Sequence, residues 1–183
     1  MRILGISGSL RAGSHNTQLL RLAAEELPEG VELELYEYLA SIPPFDQDLV
    51  EIAPDEVERL KEAVAASDAI LVATPEFNGS IPGQLKNALD WVSRPLADSP
   101  FRGKPAAVIG ASTSTYGAMW AQAELRKVLG LMGARVLESG LAVPHAEEHV
   151  DEEGHLLDPD MRDRLSSVVA ELVAATVVTP VAA

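Results

Sequence analysis

The chain has 183 residues, 47% of them hydrophobic, with no cysteine and with 28 Asp+Glu against 14 Lys+Arg for a net charge of −14. That length allows roughly 70% of the unfolded chain's surface to be buried, so a single domain over residues 1–183 is expected, with no metal or cross-link needed to supply a core. An acidic surface repels nucleic-acid phosphate and anionic lipid, and the lack of thiols excludes disulfides, thiolate-ligated metal centres and a cysteine nucleophile, so any electron chemistry must ride on a bound cofactor.

Short apolar runs trade places with segments of helical period about five times along the chain, the signature of β-α units on a parallel sheet. The first strand is expected over 3–7 and the first helix over 16–27, with Leu19, Leu20, Ala23 and Leu27 on one stripe and Pro28 to Gly30 ending it. A strand over 31–38 follows, in which Glu32 and Glu34 alternate with apolar residues as on a half-exposed strand. The next helix, 54–67, repeats Val57, Leu60 and Val64 behind an acidic first turn at Asp55 and Glu56 that complements the helix dipole. Strands over 69–74 and 106–110 are continuous apolar runs of the kind covered on both faces. Each leads into a helix, at 84–93 and 119–132. A fifth strand over 136–143 precedes a last helix, Pro159–Val177, which turns Leu165, Val168, Val169, Leu172 and Val173 inward behind Asp158 as N-cap.

In such a sheet, ligands bind beyond the carboxyl ends of the strands, so the loops after strands one, three and four carry the chemistry. The first reads Ser7-Gly8-Ser9-Leu10-Arg11-Ala12-Gly13-Ser14-His15-Asn16-Thr17. Its glycines let amides approach an oxyanion, a helix N-terminus follows, and Arg11 adds charge-assisted bonds. Neither G-x-x-x-x-G-K-[ST] nor G-x-G-x-x-G is present, and a long hydroxyl-rich loop suits a terminal phosphomonoester. The plainer alternative is a surface loop in which Ser14 or Asn16 merely starts the helix. The second loop, Thr74-Pro75-Glu76-Phe77-Asn78-Gly79-Ser80-Ile81-Pro82-Gly83, joins turn formers to an aromatic and offers a fixed edge to a planar heterocycle, unless Phe77 lies in the core. The third, Ala111-Ser112-Thr113-Ser114-Thr115-Tyr116-Gly117-Ala118, again places hydroxyls and an aromatic before a helix.

Gly8-Ser9-Leu10-Arg11 with Ser14 and Asn16, then Pro75-Glu76-Phe77-Asn78 with Pro82-Gly83-Gln84-Leu85-Lys86-Asn87-Ala88-Leu89-Asp90-Trp91, resemble the NAD(P)H-dependent FMN reductase family, which includes flavin, quinone, chromate and azo-dye reductases. The resemblance covers nearly the whole chain, including Asp151-Glu152-Glu153-Gly154 and Leu157-Asp158 ahead of the last helix. It implies a flavodoxin-like α/β three-layer sandwich with a five-stranded parallel sheet of order 2-1-3-4-5. It also implies bound FMN, NADPH or NADH as co-substrate, a small electron acceptor, and a homodimer or homotetramer. Carried over residue by residue, Ser9, Arg11, Ser14, Asn16 and Thr17 hold the FMN phosphate. Pro75, Glu76, Phe77, Asn78 and Gly79 line the isoalloxazine, and Ser112, Thr113, Tyr116 and Gly117 close the third side. The family commonly has Tyr where this chain has Phe77, and more glycine in the third loop, so Tyr116 is expected to narrow the substrate entrance. No acid–base residue is implied, because hydride transfer through a flavin asks the protein for position and shielding.

Two other functional classes share these features. A flavodoxin-type electron carrier would bind FMN without nicotinamide activity, its acidity suiting basic redox partners. A regulatory protein would keep the fold and lose the flavin. His145-Ala146-Glu147-Glu148-His149 matches H-x-x-E-H, but it follows Pro144 and runs without an apolar stripe into an acidic segment, so a solvated loop is expected rather than a zinc helix. The seven carboxylates from Glu147 to Asp160 lack the spacing of an EF-hand loop. Trp91 and Trp120 suit either a core or a subunit contact. No apolar run reaches the ~18 residues of a membrane span, and no basic segment with a long apolar stretch precedes the first strand, so a cytoplasmic protein is expected.

Overall fold

A computed structural model describes residues 1–151 and 155–177. Strands β1 (Arg2–Ser7), β2 (Glu32–Leu35), β3 (Ala69–Ala73), β4 (Pro105–Ala111), β5 (Arg135–Val136) and β6 (Ala142–Val143) form one all-parallel sheet in the order β2-β1-β3-β4-β5, with β6 also paired to β4. The helices are α1 (His15–Glu25), α2 (Asp55–Ala66), α3 (Gly83–Val92), α4 (Met119–Leu131), the single turn α5 (Ala146–His149), and α6 (Pro159–Val177). This is the flavodoxin-like architecture and strand order that the sequence resemblance implies.

Side-chain alternation along the central strands builds a core on each face. Ile70 and Val72 of β3 pack with Val57, Leu60 and Val64 of α2, Leu85 and Trp91 of α3, and Leu125 and Leu129 of α4. On the other face Ala69, Leu71 and Ala73 meet Leu19, Leu20 and Ala23 of α1 and Leu165, Val168 and Leu172 of α6. Trp91 is 1% exposed and donates from its indole nitrogen to the Pro43 carbonyl at 2.9 Å, so it is a core residue.

Two expected strands are corrected. The run 31–38 yields only Glu32–Leu35, plus one bond from the Tyr36 amide to Gly5 O at 2.9 Å. This edge strand pairs with β1 alone, and beyond the Tyr36 amide residues 37 and 38 make no backbone hydrogen bond to β1 among the described residues. The chain then takes two short 3₁₀ turns, Leu39–Ser41 and Gln47–Ile52, before α2. The expected fifth strand, 136–143, is split. Leu137 N donates to Ala106 O and Gly110 N donates to Leu141 O, both at 2.8 Å, but between them the Val108 carbonyl is taken by Arg126 Nη2 at 3.2 Å. A guanidinium thus replaces one rung of the ladder. Gly140 makes this possible, because a Cβ there would lie 2.7 Å from Val108 O and closer still to Arg126 Nη2.

A further correction concerns 145–149, where the expected solvated loop is one helical turn. His145 has φ 41 and stands outside that turn, so the two histidines of the H-x-x-E-H string share no helix face. Among the described residues no group of three or more His, Asp or Glu is placed to hold a metal ion. Glu152, Glu153 and Gly154, part of both the acidic run and the resemblance, lie outside the described residues. Asp158 caps α6 as its sequence suggests, with Oδ1 accepting from Asp160 N at 2.8 Å. No helix among the described residues is long and apolar enough to cross a membrane.

Candidate active site

Because β1, β3 and β4 are adjacent and parallel, their carboxyl ends deliver three loops to one place. Gly8 N donates to Ala73 O at 2.8 Å, Thr74 N to Ile109 O at 3.0 Å and Ser112 N to Val143 O at 3.0 Å, so each loop departs from a hydrogen-bonded strand end. Between them lies an open cleft of about 200 Å³. The first loop lines it with Ser9, Arg11, Ser14, His15 and Asn16, the second with Pro75, Glu76 and Phe77, and the third with Ala111, Ser112 and Thr113.

The first loop is a donor cradle. Ser14 is the N-cap of α1, its hydroxyl accepting from Thr17 N at 3.3 Å. Ser9 Oγ accepts from Arg11 N at 3.4 Å, which curls the loop over the helix start. The amides of Gly13, Ser14, His15 and Asn16 find no acceptor among the described residues, and they stand at the positive end of the helix dipole. The Arg11 side chain is exposed and makes no ion pair or hydrogen bond among the described residues. Unsatisfied amides beside a free guanidinium are what a phosphomonoester requires, so the loop fits the phosphate end of FMN.

Two residues of this loop sit differently from the rest. Asn16 is 3% exposed, and its amide is consumed by the third loop: Nδ2 donates to Ala111 O and Oδ1 accepts from Ala111 N, both at 2.9 Å. It fastens the start of α1 to the end of β4. Thr17 is turned away from the cleft, its hydroxyl donating to Ser7 Oγ at 2.8 Å. It lines a neighbouring recess with Ser7, Arg21 and Tyr36. Burial raises the Tyr36 phenol above its ordinary pKa, against the opposing pull of Arg59.

The second loop folds into a tight hairpin. Phe77 and Ser80 exchange both backbone hydrogen bonds, at 3.0 and 3.1 Å, around Asn78 (φ 54) and Gly79 (φ 74), the left-handed pair of a type I′ turn. This geometry holds Phe77 out at 59% exposure, not in the core, with its ring at the cleft. Asn78 and Gly79 form the hairpin tip and do not line the cleft. Two latches tie the hairpin to α4. Glu76 Oε2 accepts from both Trp120 N and Ala121 N at 3.0 Å, and Ser80 Oγ donates to Glu124 Oε2 at 2.6 Å.

In the third loop Ser112 and Thr113 reach the cleft, whereas Tyr116 and Gly117 lie beyond it. Gly117 has φ 56, and a Cβ there would stand 2.9 Å from the backbone of Ala142, Val143 and Pro144, so this turn is pressed onto β6. Tyr116 and Trp120 are 52% and 48% exposed and pack on each other with ring centroids 4.6 Å apart, giving an exposed aromatic platform at the head of α4. Sequence reasoning missed His15 as a cleft residue, although it stands between two chosen neighbours. It also missed the Glu76 and Ser80 latches, whose partners on α4 are 44 or 45 residues away.

The chain matches the NADPH-dependent FMN reductase family over residues 1–148. It is 40% identical over 174 residues to an NAD(P)H-dependent FMN reductase of Pseudomonas aeruginosa, covering 94% of this chain and 93% of that one. It is 33% identical over 175 residues to a 2-hydroxy-1,4-benzoquinone reductase of a Burkholderia species, with 95% of each covered. Among solved structures, a flavoenzyme NAD(P)H:(acceptor) oxidoreductase from Paracoccus denitrificans superposes with a TM-score of 0.84 at 33% identity over 96% of both chains. With its sheet order, its phosphate-type cradle and its match over four-fifths of its length in agreement, the chain belongs to the NADPH-dependent FMN reductase family and is an oxidoreductase of FMN and NAD(P)H.

Proposed function

We propose that this enzyme reduces a quinone or a free flavin, and that its FMN lies in the cleft formed by the three loops. The observation that carries this reading is the convergence of Ser9, Arg11 and Ser14, Pro75 to Phe77, and Ser112 with Thr113 on a single cleft. The amides of residues 13–16, Arg11 and the hydroxyls of Ser9 and Ser14 would hold the phosphate. Pro75, Glu76 and Phe77 would hold the ring on one side and Ser112 and Thr113 on the other, with Asn78 and Gly79 at the nearby hairpin tip. Asn16 and Thr17 hold the cradle's shape from behind. Bound there, FMN supplies two-electron hydride acceptance from a nicotinamide and delivery to an acceptor. The protein's own part is to fix position, exclude water and present stacking faces. Phe77 and the Tyr116–Trp120 platform, both exposed beside the cleft, suit a planar acceptor such as a quinone better than a small inorganic anion. The working form is a homodimer or homotetramer in the cytoplasm, as the family resemblance implies.

The test is an anaerobic visible spectrum of the protein loaded with stoichiometric FMN and desalted, before and after NADPH, followed by addition of a benzoquinone or of free FMN. Retained flavin that bleaches with NADPH and recolours with quinone is the expected result. Retained flavin that NADPH leaves oxidised would overturn the reading in favour of an electron carrier.

A further inference from the structure

We propose that Glu124, on helix α4 outside the cleft, is a positioning residue for the planar acceptor: through Ser80 it fixes the hairpin that presents Phe77 at the cleft. The inference rests on the reading above, in which Phe77 offers a stacking face to a quinone. From Phe77 to Gly79 the hairpin is exposed, Phe77 itself by 59%, so burial does not set its position. A lone two-residue hairpin is also only marginally stable. Phe77 is therefore held by the bonds on either side of it.

Both shoulders of the hairpin are bonded to the same helix. On one side Glu76 Oε2 accepts from Trp120 N and Ala121 N at 3.0 Å, and on the other Ser80 Oγ donates to Glu124 Oε2 at 2.6 Å. Glu124 lies one turn after Trp120, so the hairpin is gripped from neighbouring turns of α4. Between the two grips Phe77 and Ser80 exchange backbone bonds at 3.0 and 3.1 Å around the left-handed Asn78 and Gly79, which carries the restraint on Ser80 back to Phe77. A hydroxyl donating to a carboxylate makes the short, strong kind of hydrogen bond, and the Ser80–Glu124 distance is of that kind.

The two carboxylates have different duties. Ala118, at the N-cap of α4, has φ 62 and no side chain able to cap, so Glu76 supplies the acceptor that the first turn lacks. Loss of Glu76 would uncap α4 and also alter the cleft, which Glu76 lines, so its effects on helix and site are inseparable. Glu124 lies inside α4, where backbone bonds within the helix need no side chain, and it does not line the cleft. Its bond to Ser80 is what connects it to the site. The phosphate cradle is tied separately, by Asn16 to Ala111 at 2.9 Å. Breaking the Ser80–Glu124 bond thus loosens Phe77 and leaves the phosphate end in place.

The experiment compares wild type, Glu124→Ala, Glu124→Gln, Ser80→Ala and the double alanine variant, all FMN-loaded, with saturating NADPH and either a benzoquinone or ferricyanide as acceptor. Ferricyanide is a small inorganic anion that needs no stacking face. Glu124→Ala and Ser80→Ala should each raise KM for the benzoquinone about three- to tenfold, with kcat and the ferricyanide rate within about twofold of wild type. Glu124→Gln, whose amide oxygen still accepts from Ser80, should restore KM to within about twofold of wild type. The double variant should be no worse than either single one, because all three lose the same bond. Hydrogen exchange reads the hairpin without turnover: the Phe77 and Ser80 amides should exchange about three- to tenfold faster in Glu124→Ala, and those of β3 at the wild-type rate. Light scattering reads the assembly state. The proposal is overturned if KM for the benzoquinone or exchange of the hairpin amides is indifferent to the loss of Glu124, if quinone and ferricyanide activities fall together, if the single effects multiply in the double variant, or if Glu124→Ala changes the oligomeric state. A wild-type enzyme that NADPH reduces but that passes no electrons to the benzoquinone refutes the functional reading, whereas quinone turnover indifferent to positions 80 and 124 refutes only the role of Glu124.

Discussion

Replacing Asn16 by Ala separates a ligand contact from a structural tie. In the wild type one side chain satisfies both the amide and the carbonyl of Ala111, each at 2.9 Å, in a site where Asn16 is 3% exposed and Ala111 is buried. The substitution leaves one buried donor and one buried acceptor without partners, each costing about 1–3 kcal/mol. The vacated space admits a water to one of them, so the net loss is about 2–4 kcal/mol. For a protein of this size each kcal/mol lowers Tm by roughly 2–4 °C, which places the expected shift at about 5–15 °C. The assay is thermal unfolding by circular dichroism of the flavin-free protein, with FMN affinity measured in parallel by flavin fluorescence quenching. Both should fall, because loosening the α1–β4 tie also splays the first loop from the third. Asn16→Asp keeps the acceptor for Ala111 N but sets an oxygen against Ala111 O, so it should be no more stable than Asn16→Ala. A flavin-free Asn16→Ala protein that melts within about 1 °C of wild type while losing FMN affinity would refute the argument and make Asn16 a direct phosphate contact.

Arg11→Ala should weaken FMN binding by about 10- to 100-fold, from lost charge-assisted bonds worth about 1.5–3 kcal/mol. Flavin-free stability should not change, since the side chain has no partner among the described residues; fluorescence titration and a melt check the two halves. Gly117→Ala forces a Cβ into a left-handed position 2.9 Å from three backbone atoms and should destabilise the protein by about 2 kcal/mol or more, read by urea unfolding. Tyr36→Phe tests an alkaline linkage. Burial raises the native phenol's pKa above 10.0, so the native state keeps its proton after the unfolded chain has lost it. Its contribution is complete below pH 10.0 and is lost as pH rises through the folded value. Wild type should therefore lose stability relative to Tyr36→Phe above that pH in denaturant titrations, and a constant difference between the two proteins there would contradict the linkage.

The legible part of the site was local. Glycines, hydroxyls and Arg11 in one loop, leading straight into a helix, announce an anion cradle, because a helix start and its first turn need nothing from elsewhere in the chain. Phe77 was open between core and cleft, and the exchange of backbone bonds with Ser80 around Asn78 and Gly79 sets it outside. Asn16 shows the limit. As a sequence position it looks like one more polar group near a phosphate, and its partner Ala111 is 95 residues away. The Glu76 carboxylate is likewise spent on α4, an arrangement no window of sequence displays.

Apolar periodicity by itself determined the element types, the parallel sheet covered on both faces, and where the loops at the carboxyl ends of its strands fall, because strand and helix patterns follow from which side chains must leave water along a short stretch. Tertiary structure decided where those patterns break. The run 136–143 reads as one strand, yet Arg126 claims the Val108 carbonyl and Gly140 makes room for it, so the ladder divides in two. Edge pairing stopped β2 at Leu35, and packing put Trp91 in the core and Trp120 at the surface. Such outcomes depend on which groups from distant segments compete for the same donor, acceptor or space, and that competition exists only once the chain has folded.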